Sequence, residues 1–215
     1  MRTICEKIHE ALNSLKRYYF PITKTEIYKN GIYVLFERGE SAHNVDRIVR
    51  IGTHTGNDQL PSRIKEHFVN ENKDRSIFRK NIGRCILNKE GNNYLDVWEI
   101  DYTTKKAKEK YGHLIDEKRQ KEIEKRVSKY IRENISFAII EVNDKEERLF
   151  LESRLISTVS KCSRCKPSEN WLGLYSPKVK IRESGLYLVN ELYKQEFNEN
   201  ECEEFIRRIQ KGKDI

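Results

Sequence analysis

The sequence predicts an α+β fold: a small, mainly antiparallel three-stranded sheet flanked by helices. Three observations point to it. Gly31 to Glu37 and Arg47 to Thr53 both alternate at strand period and are separated by a short polar stretch, which reads as a hairpin. Ser136 to Val142 is an apolar run of strand length. Around these, apolar residues recur at helical spacing. The 215 residues are enough for one core, and no repeat or low-complexity linker divides them, so a single domain over 1–215 is expected.

In chain order, Ile4, Ile8, Leu12 and Leu15 predict a leading helix to about Tyr18, followed by a linker holding Pro21. In the first strand Ile32, Val34 and Phe36 point one way and Tyr33, Leu35 and Glu37 the other, the pattern of a half-buried strand. A polar loop with Gly39, Ser41 and Asn44 leads to the second strand, where Val49 and Ile51 share one face and Ile48 and Arg50 the other. Leu60, Ile64 and Phe68 form a helical stripe, and Pro61 places the start of that helix, since proline is tolerated in a first turn. A second short helix is expected over Ser76 to Leu87. Residues 103–134 are charge-dense, with Ile123, Val127, Tyr130 and Ile131 on one helical face; they read as an insertion or covering helix. After the third strand, Asp144 with Glu147 makes a capping start for a helix to about Ser160. A Ser/Pro/Asn/Gly-rich loop over 166–185 follows, then a strand or short helix at Leu186 to Leu192. A last helix runs from Glu199 to Gln210 and stops at Gly212.

Composition narrows the function classes. Eleven Tyr and eight Phe argue against general disorder. A formal net charge of +8 favours polyanionic partners, nucleic acid or an anionic membrane surface. No stretch has the length of a signal peptide's apolar region or of a membrane span, so no membrane partner and a cytoplasmic location are expected. Five cysteines without a secretion signal argue against a disulfide framework. Cys162 and Cys165 form a lone CxxC with no second pair beside it, and free thiols are the expected state.

Three groups of residues carry candidate chemistry. If the hairpin pairs Phe36 with Arg47, Tyr33 faces Arg50 across the strands, and a phenol beside a cation is a candidate base. The plain alternative is a sheet tyrosine beside a surface arginine. Arg63 and His67 share a helix face, where a guanidinium clamps phosphate oxygens and an imidazole moves protons; the alternative is a solvated face. Glu152 sits inside the stripe of Leu149, Leu155, Ile156 and Val159. A buried carboxylate calls for a metal or an ion-pair partner, here Arg148 or Arg154.

These spacings meet a resemblance. Gly31-Ile32-Tyr33 followed by Arg50-Ile51-Gly52 resembles the signature of the GIY-YIG nucleases. Leu60 to His67 is similar to the family's helix with its catalytic arginine, Leu149 to Ile156 to its glutamate segment, and Asn170-Trp171-Leu172-Gly173 to its late asparagine motif. The combination looks closest to the restriction endonuclease branch. It spans a common core of about 31–173, with the helical insertion near 88–134. The resemblance implies a metal-dependent endonuclease acting on double-stranded DNA. In it Tyr33 orients or deprotonates the attacking water, Arg63 stabilises the scissile phosphate, and His67 assists Tyr33 or contacts the phosphate. Glu152 holds Mg²⁺ or Mn²⁺, and Asn170 helps fix the scissile region. Arg79, Lys80 and Arg84 form a basic segment that would track the DNA backbone, or a solvated basic face.

Arg50 stands where the signature has its second tyrosine, either supplying an equivalent function to Tyr33 or marking a chain that binds DNA without cutting it. A repair or mobile-element nuclease, and an RNA substrate, stay open on the same residues. A palindromic target would call for a homodimer or for two sequential nicks.

Overall fold

The computed structural model describes residues 2–22 and 27–211. Its elements are α1 (Ile4–Asn13), β1 (Gly31–Ala42), β2 (Val45–Gly52), α2 (Leu60–Phe68), α3 (Ile77–Lys89), α4 (Leu95–Glu99), α5 (Lys105–Tyr111), α6 (Glu117–Asn134), β3 (Ile135–Glu141), α7 (Lys145–Lys161), α8 (Val179–Ser184) and α9 (Glu199–Lys211). The sheet runs β2-β1-β3 with both pairings antiparallel, so the fold is the predicted α+β architecture. Among the described residues no helix is long and apolar enough to cross a membrane. Gly212, the expected stop of α9, lies outside the described residues.

β1 is the axis of the molecule. Ile32 to Phe36 are all at most 1 % exposed, so the strand is covered on both faces rather than half-buried. Its alternation sorts side chains between two cores. Ile32, Val34 and Phe36 join α1, α7 and α9. Tyr33 and Leu35 join α2, α3 and α6. The charge-dense segment supplies the second cover, burying Ile123, Val127 and Ile131 and leaving its polar face to solvent.

Several local expectations are corrected. The hairpin turn is two residues, His43 and Asn44, both at positive φ (54° and 64°), and β1 runs up to it. Polar Glu40 belongs to the strand because its carboxylate is paired with buried Arg47 at 2.6 Å. In β2, Leu35 pairs with Arg50 but Phe36 pairs with Ile48, so Val49 is the extra residue of a bulge. The bulge sends Val49 and Arg50 to the α2/α3 side while Ile48 and Ile51 lie in the other core. The simple alternation expected of this strand is therefore broken.

α1 ends at Asn13, short of Tyr18, because the chain turns to bridge β3: Tyr18 and Phe137 exchange backbone bonds of 2.8 and 3.0 Å. On the opposite edge Tyr187 N–H donates to the Val49 carbonyl at 2.8 Å. Both edges of the sheet are thus blocked. Leu186 to Leu192 forms neither strand nor helix, and the expected 166–185 loop contains a short 3-10 turn at Leu172–Tyr175 and α8. In α7 the core-facing residue is Leu151; Leu149 is exposed.

The basic segment of α3 is the largest reversal. Arg79, Lys80 and Arg84 are buried, not displayed. Arg79 pairs with Glu124 of α6 at 2.7 Å and donates to Ser128 Oγ at 2.8 Å. Lys80 donates to the Glu99 carbonyl at 2.8 Å, and Arg84 forks onto the Glu99 carboxylate. They tie α3 to the covering segment and present nothing to a DNA backbone. Removing one partner of a buried pair strands the other charge. Arg79→Leu should therefore lower unfolding free energy by about 3 kcal/mol or more in urea titration; an unchanged midpoint would contradict this structural role.

Candidate active site

The site is built where β1 enters the sheet. Two close approaches shape it. A Cβ on Gly31 would lie 2.3 Å from the Ile140 carbonyl oxygen, so glycine lets β3 pack against the strand start. A Cβ on Gly52 would lie 2.2 Å from the Tyr33 hydroxyl, so the residue opposite Tyr33 has no side chain and the phenol ring lies across it. Thr53 Oγ1 donates to the Gly31 carbonyl at 2.7 Å, joining the two strand ends.

Tyr33 and Arg50 were expected to face each other. The bulge sets a different register: Tyr33 pairs with Gly52 and Arg50 with Leu35. The two side chains still share the α2/α3 face, two pairs apart. The direct partner of Tyr33 is His67, whose Nε2 is 2.8 Å from the phenol oxygen. His67 Nδ1 is 2.7 Å from Ser76 Oγ, the N-cap of α3, which also accepts the Arg79 N–H at 3.2 Å. With the proton on Nδ1, the imidazole accepts the phenol O–H. With it on Nε2, the phenol oxygen accepts. The Tyr33–His67–Ser76 chain is thus a proton path in either direction.

His67 belongs to the buried stripe of α2 with Leu60, Ile64 and Phe68, rather than adjoining it. Burial, then the charges of Arg50, Arg63 and Arg79, push its pKa well below the ordinary 6.5, so the ring is neutral at neutral pH. Arg63 is half-buried and donates to the Arg75 carbonyl at 3.1 Å, lining an open pocket of ≈ 410 Å³ with His54, Ser62 and Glu66.

Glu152 is half-buried on α7. Among the described residues it forms no ion pair; neighbouring Arg148 donates to the carbonyls of Val142 and Asn143, and Arg154 pairs with Glu201. Burial raises its pKa above the usual carboxylate value, opposed by Arg50, the Thr53 N–H and Arg63. The Thr53 N–H bond puts it at the Thr53 end of β2, within electrostatic reach of Arg50 and Arg63. Arg50 itself is buried, donates to the Tyr187 carbonyl at 2.6 Å, and keeps a buried Nε without a partner.

Tyr33 and His67 are thus in contact, and Arg50 and Arg63 act electrostatically on both His67 and Glu152. Asn170 stands apart. It is exposed, between Ser168, tied to Glu40, and Trp171, whose indole donates to Glu37 at 2.9 Å. Glu37 is four residues along β1 from Tyr33, about 13 Å at strand rise. Sequence reasoning missed Ser76 and Thr53. Ser76 carried a helix-start signal but no spacing linked it to His67.

Because the unfolded chain takes up a proton that buried His67 refuses, folding stability should fall as the pH drops below about 6.5. His67→Gln should flatten that limb in urea titrations at stepped pH, and an unaltered slope would remove His67 from this account.

No curated protein and no solved structure matches the chain. A family model described as the GIY-YIG domain matches residues 3–214, which is nearly the whole sequence. A match over nearly the whole chain shows the family: the chain belongs to the GIY-YIG family of nuclease domains.

Proposed function

We propose that the protein is a divalent-metal-dependent endonuclease of restriction type that hydrolyses phosphodiester bonds in double-stranded DNA. The observation that carries this reading is the Tyr33–His67 hydrogen bond of 2.8 Å, together with a half-buried carboxylate, Glu152, that forms no ion pair among the described residues. The net charge of +8 supports a polyanionic substrate.

Each residue has a distinct task. Arg63, at the open pocket, meets the scissile phosphate and offsets its developing charge. Tyr33 orients the attacking water and takes its proton, which His67 draws on toward Ser76. Because His67 is neutral, it receives a proton without first having to lose one. Arg50, in place of the signature's second tyrosine, adds no second phenol. Its charge instead acts on His67 and Glu152 together, keeping the imidazole neutral and easing ionisation of the carboxylate.

Glu152 fits a hard cation. It is an oxygen donor, it has no ion-pair partner among the described residues, and its burial makes the ionised form costly until a positive charge arrives. Glu152 would hold Mg²⁺ or Mn²⁺ there, and the chemistry such an ion would supply is Lewis-acid polarisation of the phosphate.

Supercoiled plasmid with Mg²⁺ tests the reading. Wild type should nick or linearise it, and Tyr33→Phe should slow the reaction by about 10²-fold or more. Glu152→Gln should abolish it while making the metal-free protein more stable. The sign follows from the raised pKa: the fold favours the protonated carboxyl, so stability present below the unfolded value of 4.5 is lost as pH rises through the folded one. Glutamine removes that loss, and the gain should vanish in acid. If wild type and Glu152→Gln leave plasmids of varied sequence equally intact, the enzyme reading fails.

A further inference from the structure

On the sheet face away from Tyr33 and His67, three thiols and an imidazole from distant parts of the chain meet. Cys5 Sγ is 3.3 Å from Cys165 Sγ. His43 Nε2 is 3.2 Å from Cys165 Sγ and 3.5 Å from Cys162 Sγ. Cys162 is also in side-chain contact with both Cys5 and Cys165. Cys5 comes from α1, His43 from the hairpin tip, and Cys162 and Cys165 from the turn that ends α7. We propose that Cys5, His43, Cys162 and Cys165 form a structural zinc site with tetrahedral Cys₃His coordination.

The geometry fits. With Zn–S near 2.3 Å and Zn–N near 2.0 Å, the edges of a tetrahedron are about 3.8 Å between sulfurs and about 3.5 Å between sulfur and nitrogen. The three edges Cys5–Cys165, His43–Cys165 and His43–Cys162, at 3.3, 3.2 and 3.5 Å, need changes of no more than about 0.5 Å. A disulfide would instead need about 2.05 Å between two sulfurs and would leave the third thiol and the imidazole unused. The lone CxxC lacked a second pair in the sequence; the fold supplies one from Cys5 and His43. Soft thiolates with one imidazole and no open oxygen ligand select zinc over hard ions.

His9 also lies beside the cluster, its Nε2 3.9 Å from Cys165 Sγ. Its nitrogens are already engaged, however. Nδ1 is 3.0 Å from the Cys5 carbonyl, and Nε2 accepts the Ile48 N–H at 3.4 Å. It supports the Cys5 backbone rather than completing the shell. For the His43 ring, by contrast, the two sulfurs are its hydrogen-bond partners among the described residues. His43 sits at φ 54° in a turn position that favours Asn or Gly, so histidine there trades turn preference for reach. Arg164, inside the CxxC, donates to Thr3 Oγ1 at 3.0 Å and Glu6 Oε2 at 2.9 Å, bringing the CxxC turn to the start of α1.

The test is metal content of the full chain, purified without chelator and then equilibrated with Zn²⁺ and desalted. Wild type should retain about one zinc per chain. His43→Asn keeps a residue suited to positive φ, so the hairpin should survive, yet zinc content should fall about 10-fold or more. Cys162→Ser, at a half-buried position, should do the same, and Co²⁺-loaded wild type should show thiolate charge-transfer absorption that Cys162→Ser weakens. His9→Gln should keep its zinc. The proposal is overturned if wild type holds no stoichiometric zinc, if His43→Asn retains it, if His9→Gln loses it, or if peptide mapping without reductant finds a disulfide among the three thiols. None of these outcomes depends on DNA cleavage.

Discussion

The hydrogen bond between Tyr33 and His67 organises one half of this protein. A phenol and an imidazole buried together each need a partner, and here each is the other's. To meet, Tyr33 must lie flat over a residue without a side chain, which is Gly52, and α2 must begin close to the start of β1. The Leu60 N–H donates to the Lys29 carbonyl at 3.1 Å and fixes that start. His67 then needs a second partner, and the N-cap of α3 provides it through Ser76. The α2 and α3 helices, their connection and the first strand are thus held to one another by a single chain of polar contacts.

That chain is buried only because the sheet is covered twice. A three-stranded sheet with one wet face would leave Tyr33 in water and His67 free to titrate near its ordinary value. α6 and the residues leading into it exclude solvent, and they do so with buried ion pairs as well as apolar contacts. Arg79 with Glu124, and Arg84 with Glu99, bring charge inside where each must be matched. One of these charges also acts on the site: Arg79, together with Arg50 and Arg63, pushes His67 toward neutrality. Packing and proton chemistry are therefore coupled, since loosening the cover would alter the protonation of the imidazole.

This also explains what was legible in the sequence. The hairpin, the third strand and the helices at 60–68, 77–89 and 145–161 follow from hydrophobic period and capping, which are local. Glu152 stood out as a polar group inside a local apolar stripe, Tyr33 by its strand phase, and His67 by the helix face it shares with Arg63, which are local patterns too. The errors share the opposite cause. A bulge at Val49 changes which residues share a face without any glycine or proline to announce it. Arg79, Lys80 and Arg84 read as a basic surface because their partners, Glu124, Asp74 and Glu99, are supplied by other segments. Asn170 matched a motif, but its neighbours Ser168 and Trp171 bind Glu40 and Glu37 at the far end of β1. Contacts between distant segments decide burial, and no spacing within one segment encodes them.

The Cys/His cluster is the clearest instance, because its four members arise from three segments separated by up to 160 residues. It also bears on the proposed chemistry. The two proposed metal sites both draw on α7, one along the helix and one at its C-terminal end, and differ in kind: a lone carboxylate at Glu152, thiolates and imidazole beyond Lys161. Soft sulfur ligands hold zinc tightly and closed, whereas a single carboxylate leaves most of an ion's shell to water and phosphate. The first arrangement suits fixing the N-terminal helix and hairpin tip in place. The second suits an ion that must share its shell with a substrate. A zinc ion drawn to Glu152 would meet one oxygen ligand where the cluster offers four better ones, so the thiol site would also keep the softer metal away from the catalytic carboxylate.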